Sequence, residues 1–193
     1  MKVLELFPTV IAKEINPKHT LIKKDILKEC LFLKDSNIKG GSNWIADTYN
    51  TCGTHDINDN KKFKILNDWV LDQIRKYMLT IGLANKKINS FQGWVNIYKK
   101  NNYQETHDHN GNDISVIYYL QTPKNSGNVR FYSPEPNGVK NCFDSTNPYT
   151  FKNYFIEPKE GQLLIFKSNL KHSVDQNKSN KARISLAYNV RLK

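Results

Sequence analysis

The pattern of hydrophobic and polar positions divides the chain into a helical first half and a β-rich second half. Apolar side chains recur at spacings of three or four over Pro17–Phe32 and Asn60–Ile81, which predicts two amphipathic helices. Asn16 followed by Pro17 is typical of a helix start, and Gly82 of a helix end. Before the first helix, the apolar residues within 1–13 predict a strand. We expect the first helix to bury Leu21, Ile22, Ile26, Leu27 and Cys30.

The second half consists of short apolar or alternating segments separated by turns rich in Pro, Gly and Asn, a pattern typical of strands. The predicted strands are Phe91–Tyr98, Ile114–Gln121, Val129–Tyr132, Tyr154–Glu157, Gln162–Phe166 and Arg183–Leu192. In the first of them, alternation places Trp94, Asn96 and Tyr98 on one face, and Val95 and Ile97 on the other. This order of elements predicts a mainly β (α+β) fold, a double-sheet jelly roll with the N-terminal helices packed on one sheet.

The length of the chain, 193 residues, is sufficient for one well-formed core, and we expect a single domain. Residues 1–90 would supply the first strand and the supporting helices, and residues 91–193 the jelly-roll core. Polar stretches at residues 34–60 and 133–152 interrupt the pattern. Loops of such length are commonly functional, so both are candidate lids.

Three side chains in the first polar stretch are candidates for contact with a substrate. Trp44, Tyr49 and His55 would line a groove if the loop folds over the binding site. The alternative, which we favour for Trp44, is that the indole packs at the edge of the core. The pattern alone leaves both interpretations open.

The composition excludes several classes of protein. The hydrophobic fraction of 38% supports a globular core, but the chain has no run of ~18 apolar residues that would cross a membrane. The N-terminal segment lacks the apolar core and cleavage site of a signal peptide. Cys30, Cys52 and Cys142 are odd in number and have no CxxC spacing, which favours reduced thiols over disulfides or a thiolate metal site. We therefore expect a soluble protein of the cytoplasm.

The formal net charge of +11 would favour an acidic or polyanionic partner such as nucleic acid. The lysines are nevertheless spread along the whole chain and do not form one stripe. General amino-acid usage explains such a spread equally well, and we favour that explanation.

The stretch that is most informative about chemistry is Tyr103–Leu120, YQETHDHNGNDISVIYYL. Successive side chains of an extended segment alternate between faces, so His107 and His109 point the same way and Asp108 points the other. A His-x-His pair on a strand suits the binding of one transition-metal ion. The alternative is that both are solvated loop histidines.

A third metal ligand and an anion-binding pair are predicted in the last third of the chain. His172 lies in the segment GQLLIFKSNLKHSV, 63 residues after His109, and is the candidate third ligand. Arg183 and Ser185 follow on one face of the last predicted strand. A guanidinium beside a hydroxyl is suited to hold a carboxylate. Together with the histidines, this pair outlines a site for a metal and a dicarboxylate.

The order and spacing of these motifs resemble those of the iron(II)- and 2-oxoglutarate-dependent oxygenases, in particular a prolyl-hydroxylase-like branch of marine bacteria and their phages. The resemblance runs from Trp94 to Asn189 and comprises WVNIY, His-x-His followed by ISVIYYL, GQLLIF, and His-x(10)-Arg-x-Ser. It implies a double-stranded β-helix, which is a form of jelly roll. It also implies Fe(II) as cofactor and 2-oxoglutarate as cosubstrate, with ascorbate as an optional reductant, and the host cytoplasm as location if a phage encodes the protein.

The same resemblance implies roles for individual residues. His107 and His172 match the two iron-binding histidines of the family. Arg183, helped by Ser185, matches the anchor for the distal carboxylate of 2-oxoglutarate. Tyr98 and Tyr119 match tyrosines that contact the same cosubstrate.

One position departs from the usual family pattern. Most of these oxygenases have Asp or Glu where this chain has His109, and three neutral imidazoles would leave the metal site one unit more positive. Asp108 and Asp113 are the available carboxylates. Asp108 faces away if the strand is regular, and Asp113 requires a turn that folds back. We favour His109, with Asp108 as the alternative if a bulge rotates the strand.

The reaction implied by the resemblance is hydroxylation of a protein or peptide side chain, with prolyl residues favoured. A first alternative is a 2-oxoglutarate oxygenase that modifies nucleic acid, which the positive charge would assist. A second alternative is a non-enzymatic, cupin-like jelly roll used in binding or virion assembly, in which the histidines are structural. The oligomeric state stays open.

Overall fold

The fold is taken from a computed structural model, which describes residues 1, 2, 4, 6–40, 44–135, 147, 149, 150 and 152–193. Most of the candidate lid at residues 133–152 lies outside the described residues. The same is true of Cys142 and of residues 41–43 in the first polar stretch.

Both predicted helices are present. The helical segments are α1 (His19–Asp35), a short 3-10 turn (Lys61–Phe63) and α2 (Lys64–Thr80). Asn16 and Asn60 precede them, and each side-chain oxygen accepts a hydrogen bond from the backbone N–H two residues later, at 2.9 and 3.0 Å. The Asn60 bond caps the 3-10 turn, because it satisfies a donor that the first turn of a helix leaves unpaired. The Asn16 bond stabilises the turn before α1, whose N-cap residue Lys18 makes no side-chain capping bond. Neither helix of the described chain has the length and apolar character that a membrane span requires.

The described residues form ten strands in two antiparallel sheets. The strands are β1 (Ile11–Ile15), β2 (Tyr49–Asn50), β3 (Ile88–Tyr98), β4 (Gln104–His107), β5 (Ile114–Gln121), β6 (Val129–Tyr132), β7 (Asn153–Ile156), β8 (Gln162–Lys167), β9 (His172–Val174) and β10 (Arg183–Leu192). The larger sheet has the order β1-β8-β5-β10-β3-β2, and the smaller sheet has the order β4-β9-β6-β7. The non-sequential order within each sheet is that of a jelly roll, in which the chain crosses repeatedly between the two sheets.

The helices and the smaller sheet cover opposite faces of the larger sheet. Ile26 of α1 and Ile74 of α2 share one buried cluster with Val95 of β3 and with other outward-facing strand residues. On the opposite face, Phe166 of the larger sheet packs with Phe131 of the smaller sheet in a second cluster. Because side chains alternate along each strand, every central strand contributes to both layers. The prediction of a mainly β fold with helices on one sheet is confirmed.

Several predicted boundaries are corrected by the structure. The first strand is Ile11–Ile15, and the described residues before it are not in a strand. Helix α1 begins and ends later than predicted, and Leu21 is 79% exposed whereas Leu33 is buried. The buried stripe of α1 follows a spacing of three or four from Ile22, and Leu21 lies beside this stripe on the solvent side. Leu27 is only partly buried. The division of the chain at residues 90 and 91 stays a prediction.

Candidate functional site

A narrow cavity lies between the two sheets. The larger sheet supplies one wall and strands β4 and β9 of the smaller sheet supply the other. The three predicted histidines and the four predicted cosubstrate contacts all line this one cavity. Segments that are far apart in the sequence therefore meet where the sequence predicted a common site.

The three imidazoles form a compact group. One nitrogen of each of His107, His109 and His172 lies within 4.8 Å of the others, which is close enough for one metal ion to contact all three. The ring of His107 lies 4.3 Å from that of His172, and the His109 ring stacks on His172 at 5.2 Å with an angle of 5°. His172 is 2% exposed, while the other two are half-buried at the cavity mouth.

A β-bulge in β4 places both Gln104 and His107 in the cavity wall. His107 lies opposite His172 and Gln104 lies opposite Val174, so three steps along β4 match two steps along β9. The extra residue lets both Gln104 and His107 face inward. His109 follows the end of β4 and is fixed by its backbone N–H, which donates to the carbonyl oxygen of Ser168 at 2.9 Å.

Hydrogen bonds at the outer edge of two rings orient their inner nitrogens. His107 Nδ1 donates to the backbone carbonyl of Glu105 at 2.8 Å, and His172 Nδ1 donates to that of Leu170 at 2.9 Å. A carbonyl oxygen can only accept, so Nδ1 of each ring carries the proton and Nε2 of a neutral ring keeps a free lone pair. Metal-binding histidines in proteins are commonly oriented in this way.

Burial keeps these rings neutral. It lowers the pKa of His172 to about 3, assisted by the nearby His107 and His109, and it lowers the pKa of His109 to about 4, assisted by His107. The pKa of His107 is also lowered by burial. Neutral imidazoles bind metals, whereas protonated ones do not. The group is therefore ready to bind a cation at neutral pH.

The depressed pKa values predict how the stability of the metal-free protein depends on pH. Between the ordinary value of 6.5 and the lowered pKa of His172, the unfolded chain binds a proton that the folded chain does not. Stability is therefore complete above pH 6.5 and falls as the pH drops toward the folded value. From about pH 7.5 to about pH 5, we expect His172 to contribute a loss of roughly 2 kcal/mol. Urea unfolding at both pH values measures this change in the free energy of unfolding.

The matched control for this experiment is His172→Leu, which lacks the titrating ring but keeps an apolar side chain at the site. Its free energy of unfolding should fall by about 2 kcal/mol less over the same pH interval. Equal losses in both proteins would show that the ring of His172 is not held neutral in the folded state.

Neither alternative carboxylate joins the histidines. Asp108 does not line the cavity, and its side chain accepts a hydrogen bond from the N–H of Asn110 at 3.3 Å. Asp113 accepts from the backbone N–H of Leu192 at 2.7 Å, at the end of β10. The bulge lies before His107, so it does not rotate Asp108 inward. Among the described residues that line the cavity, none is acidic.

Arg183 lies at the other end of the cavity with one edge of its guanidinium unpaired. The side chain is 1% exposed, and its Nη1 donates to the backbone carbonyls of Ser126 and Gly127 at 3.0 and 3.2 Å. Gly127 has a φ of +84°, and a Cβ there would clash with the carbonyl of Asp175. Nε and Nη2 have no partner among the described residues. These two donors form the flat edge that binds a carboxylate in bidentate fashion.

The other three predicted cosubstrate contacts surround Arg183. The guanidinium carbon lies 3.9 Å from the centre of the Tyr98 ring, which is its neighbour across β3 and β10. Ser185 faces the cavity two residues further along β10, opposite Tyr119 of β5. Burial raises the pKa of both tyrosines, so their hydroxyls stay protonated and can donate. This end of the cavity is thus a dry, cationic pocket rich in hydrogen-bond donors.

Three further polar side chains of the cavity were missed by sequence reasoning. Trp94 Nε1, Asn96 Oδ1 and Gln104 Oε1 are buried and have no hydrogen-bond partner in the described part of the protein. Leaving such atoms unpaired is costly, so they are suited to bind a ligand. The predicted alternation of β3 placed Trp94 and Asn96 on the correct face, but no sequence motif marked their polar atoms as free.

The three candidates from the first polar stretch have different positions. Trp44 lines the cavity mouth, with its ring 5.6 Å from that of His107, so our preferred interpretation of a core-edge plug is wrong. Tyr49 belongs to β2, and its hydroxyl donates to the carbonyl of Ile38 at 2.6 Å. Neither Tyr49 nor His55 lines the cavity. The groove prediction holds for the tryptophan alone.

The donor set fits a metal ion and a dianion together. Three neutral nitrogen ligands suit Fe(II) and similar metals. The unpaired edge of Arg183 and the absence of acidic side chains among the described lining residues suit a ligand that carries carboxylates. The two groups lie at separate ends of one cavity, as a chelating dicarboxylate requires.

The comparisons with known proteins agree with this chemistry. A family model described as 2OG-Fe(II) oxygenase, in which 2OG stands for 2-oxoglutarate, matches residues 92–189, just over half of the chain. This range contains every cavity residue discussed above except Trp44. No curated protein matches the chain.

Solved structures of similar fold include two prolyl hydroxylases. One is a prolyl-4-hydroxylase of Pseudomonas putida, with a TM-score of 0.64 and 15% identity over 95% of this chain and 92% of that one. The other is a Trichoplax adhaerens prolyl hydroxylase in complex with a peptide fragment of hypoxia inducible factor, with a TM-score of 0.65 and 18% identity over 94% and 83%. The α-ketoglutarate-dependent epimerase SnoN of nogalamycin biosynthesis has a TM-score of 0.64 and 14% identity over 95% and 76%.

At these identities the likeness concerns the fold, and it confirms the predicted double-stranded β-helix. The narrower assignment to a branch of marine bacteria and phages stays a prediction. The family match covers both histidine motifs and the arginine, and it favours an enzyme over the non-enzymatic alternative. The chain belongs to the 2OG-Fe(II) oxygenase family and is an Fe(II)- and 2-oxoglutarate-dependent dioxygenase.

Proposed function

We propose that His107, His109 and His172 together bind the Fe(II), and that Arg183 binds the distal carboxylate of 2-oxoglutarate. One observation carries this proposal. Three imidazole nitrogens within 4.8 Å of one another and a buried guanidinium with an unpaired edge line the same cavity. The family supplies the identity of the two ligands, and the geometry supports the assignment of residues to them.

When bound, Fe(II) and 2-oxoglutarate supply the activation of dioxygen and the oxidation of a substrate C–H bond. The protein side chains bind and orient these two groups and exclude water. The imidazoles fix the metal, Arg183 orients the cosubstrate from its far end, and Tyr98 and Tyr119 donate further hydrogen bonds beside Arg183. Phe166 and the aliphatic lining keep water away from the reacting centre.

The balance of charge between the metal, Arg183 and 2-oxoglutarate is consistent with three histidine ligands and no protein carboxylate. Three neutral imidazoles leave the charge of Fe(II) undiminished, and the two carboxylates of 2-oxoglutarate then balance it. Arg183 adds one further positive charge in a cavity that has no acidic side chain among its described residues. We propose that this surplus favours binding of the dianionic cosubstrate over neutral competitors.

Replacing His109 and, separately, Asp108 by alanine tests the third ligand. We expect His109→Ala to lose stoichiometric Fe(II) under anaerobic conditions, with an affinity more than about 100-fold weaker because a ligand is lost, and Asp108→Ala to retain it. Metal content after gel filtration and titration with Mn(II) would measure this. Loss of the metal from Asp108→Ala, with retention in His109→Ala, would transfer the role to the carboxylate.

The proposed substrate is a protein or peptide, with a prolyl side chain as the hydroxylated group. The fold is shared with two prolyl hydroxylases, one of them in complex with a peptide. The cavity opens at the histidine end, where the aromatic ring of Trp44 borders the mouth and Ile45 beside it is exposed. An aromatic and aliphatic rim is suited to a peptide side chain that enters toward the metal.

Mass spectrometry tests the substrate class. Proline-containing peptides, matched peptides with alanine in place of proline, and oligonucleotides are incubated with Fe(II), ascorbate and 2-oxoglutarate. The proposal predicts the gain of one oxygen atom in the proline peptides only, and no gain with His172→Ala. Modification of the oligonucleotides would instead favour the nucleic-acid alternative, which the net charge of +11 makes the relevant competitor.

We place the protein in the cytoplasm. Cys30 is a buried free thiol, and Cys52 is free and half-buried. Burial raises the pKa of both thiols, which lowers the fraction present as reactive thiolate. Free thiols of this kind are typical of a reducing compartment.

A further inference from the structure

The turn between β5 and β6, residues 122–128, lies against the guanidinium of Arg183. Arg183 Nη1 donates to the backbone carbonyls of Ser126 and Gly127 at 3.0 and 3.2 Å. The side chain is buried, and the centre of the Tyr98 ring lies 3.9 Å from the guanidinium carbon. The guanidinium is therefore held at one nitrogen by two main-chain oxygens, while Nε and Nη2 have no partner among the described residues.

The backbone of this turn adopts a conformation that few residues can take. The φ angle is +62° at Asn125 and +84° at Gly127. Asparagine tolerates this left-handed region better than most residues, and glycine adopts it without a steric penalty. A Cβ at Gly127 would also clash with the backbone carbonyl of Asp175. Only glycine therefore fits the position from which its own carbonyl and that of Ser126 both reach Arg183.

Hydrogen bonds to the connection between β9 and β10 fasten the turn. The N–H of Lys178 donates to the carbonyl of Asn125 at 2.9 Å, and the N–H of Asp175 donates to that of Asn128 at 2.8 Å. Strand β10 begins with Arg183, directly after this connection. The turn is thus tied, on both sides of its two inward carbonyls, to the segment that leads into the strand carrying the arginine.

The position of Nη1 determines where the free edge of the guanidinium lies. The group is planar and its donors form a fixed fork, so a hold on Nη1 also orients Nε and Nη2. Rotation of the group would break both bonds at Nη1 inside a buried site, where the loss of a hydrogen bond is costly. The edge that binds a carboxylate is therefore oriented by the backbone of the turn.

We propose that Gly127 is a positioning residue for 2-oxoglutarate: the turn that it permits holds Nη1 of Arg183, so that the edge formed by Nε and Nη2 faces the cavity before the cosubstrate binds. The inference rests on the proposed role of Arg183 as the ligand of the distal carboxylate. A side chain that is oriented in advance loses less conformational freedom on binding, which strengthens the affinity.

Gly127→Ala tests this role. The added methyl group meets an unfavourable φ and occupied space, so the turn must shift away from Arg183. We expect the KM for 2-oxoglutarate to rise about tenfold, while kcat at saturating cosubstrate and the affinity for Mn(II) stay close to those of wild type. Succinate formation at varied 2-oxoglutarate and titration with Mn(II) measure these quantities.

Gly53→Ala is the matched control. Gly53 has a φ of +76°, a Cβ there would meet open space, and the residue does not line the cavity. The control carries a similar backbone strain without touching the turn, so its KM for 2-oxoglutarate should not change. An unchanged KM in a folded Gly127→Ala protein would overturn the inference.

A second measurement uses the wild-type protein and decides the matter even if Gly127→Ala does not fold. In nitrogen-15 NMR without cosubstrate, Arg183 should give separate signals for Nη1 and Nη2, because two bonds at Nη1 prevent rotation about the Nε–Cζ bond. One averaged signal would show a rotating guanidinium and would equally overturn the inference. In a folded Gly127→Ala protein, the two signals should broaden and merge.

Arg183→Ala separates this inference from the proposed function. A normal KM for 2-oxoglutarate in Arg183→Ala would remove the proposed ligand of the carboxylate itself. A raised KM in that variant, together with a normal KM in Gly127→Ala, would remove only the positioning role of the turn.

Discussion

Replacement of His172 by alanine should abolish Fe(II) binding and, with it, the conversion of 2-oxoglutarate to succinate. His172 is the most deeply buried of the three imidazoles, and its ring lies 4.3 Å from the His107 ring and 5.2 Å from the His109 ring. Loss of an outer-shell partner alone weakens a metal site about 10- to 100-fold. Loss of a ligand should therefore weaken Fe(II) binding by more than about 100-fold, measured by anaerobic titration.

His55→Ala is the control for this variant, because His55 lies outside the cavity. It should bind one equivalent of Fe(II) and form succinate at the wild-type rate. Wild-type Fe(II) affinity in His172→Ala, with a normal unfolding transition, would remove His172 from the metal site.

Replacement of Arg183 by alanine should raise the KM for 2-oxoglutarate about 100-fold while leaving metal binding intact. The variant deletes a charge-assisted, two-pronged contact to a carboxylate, worth about 3 kcal/mol. A fall in kcat/KM larger than the fall in kcat is the expected pattern, since the lost contact is made in the bound cosubstrate as well as in the transition state. Steady-state succinate formation at varied 2-oxoglutarate measures both constants.

Arg183 also bonds two backbone carbonyls, so the stability of the variant must be measured alongside its kinetics. Arg130→Ala is the matched control: Arg130 pairs with Asp175 at 3.3 Å and lies outside the cavity. Its KM for 2-oxoglutarate should be unchanged. An Arg183→Ala protein that is destabilised but has a normal KM would identify Arg183 as structural only.

Much of the fold was predictable because the central strands are long and regular. The strands that begin at Ile114, Val129 and Arg183 have the predicted bounds. Apolar side chains dominate the first of these strands and occupy alternate or consecutive positions in the other two. The spacing of His-x-His, His172 and Arg183 predicted one cavity because each motif is attached to such a strand, and β pairing then fixes where the side chains meet.

The sequence did not reveal the short strands that complete the site. Strands β4 and β9 have four and three residues, QETH and HSV, and they contain too few apolar side chains for a strand pattern to be recognised. Their pairing creates the bulge between Gln104 and His107, a feature of two strands together that neither sequence shows alone. The buried position of Gln104 was therefore not predicted.

The sequence also did not show which donor and acceptor atoms of the site are left without a hydrogen-bond partner. The motif marked Arg183 as an anion ligand, but its unpaired edge depends on the carbonyls of Ser126 and Gly127, which occupy Nη1. The sequence indicated which side chains are candidate ligands, and tertiary pairing determined which of their atoms are free.

A crystal structure with Mn(II) and 2-oxoglutarate, grown without oxygen, is the most direct measurement. The anomalous signal of the metal should lie among the inner nitrogens of His107, His109 and His172, and one carboxylate of the diacid should lie against Nε and Nη2 of Arg183. A metal bound to Asp108, or a diacid that lies away from Arg183, would contradict the proposed site.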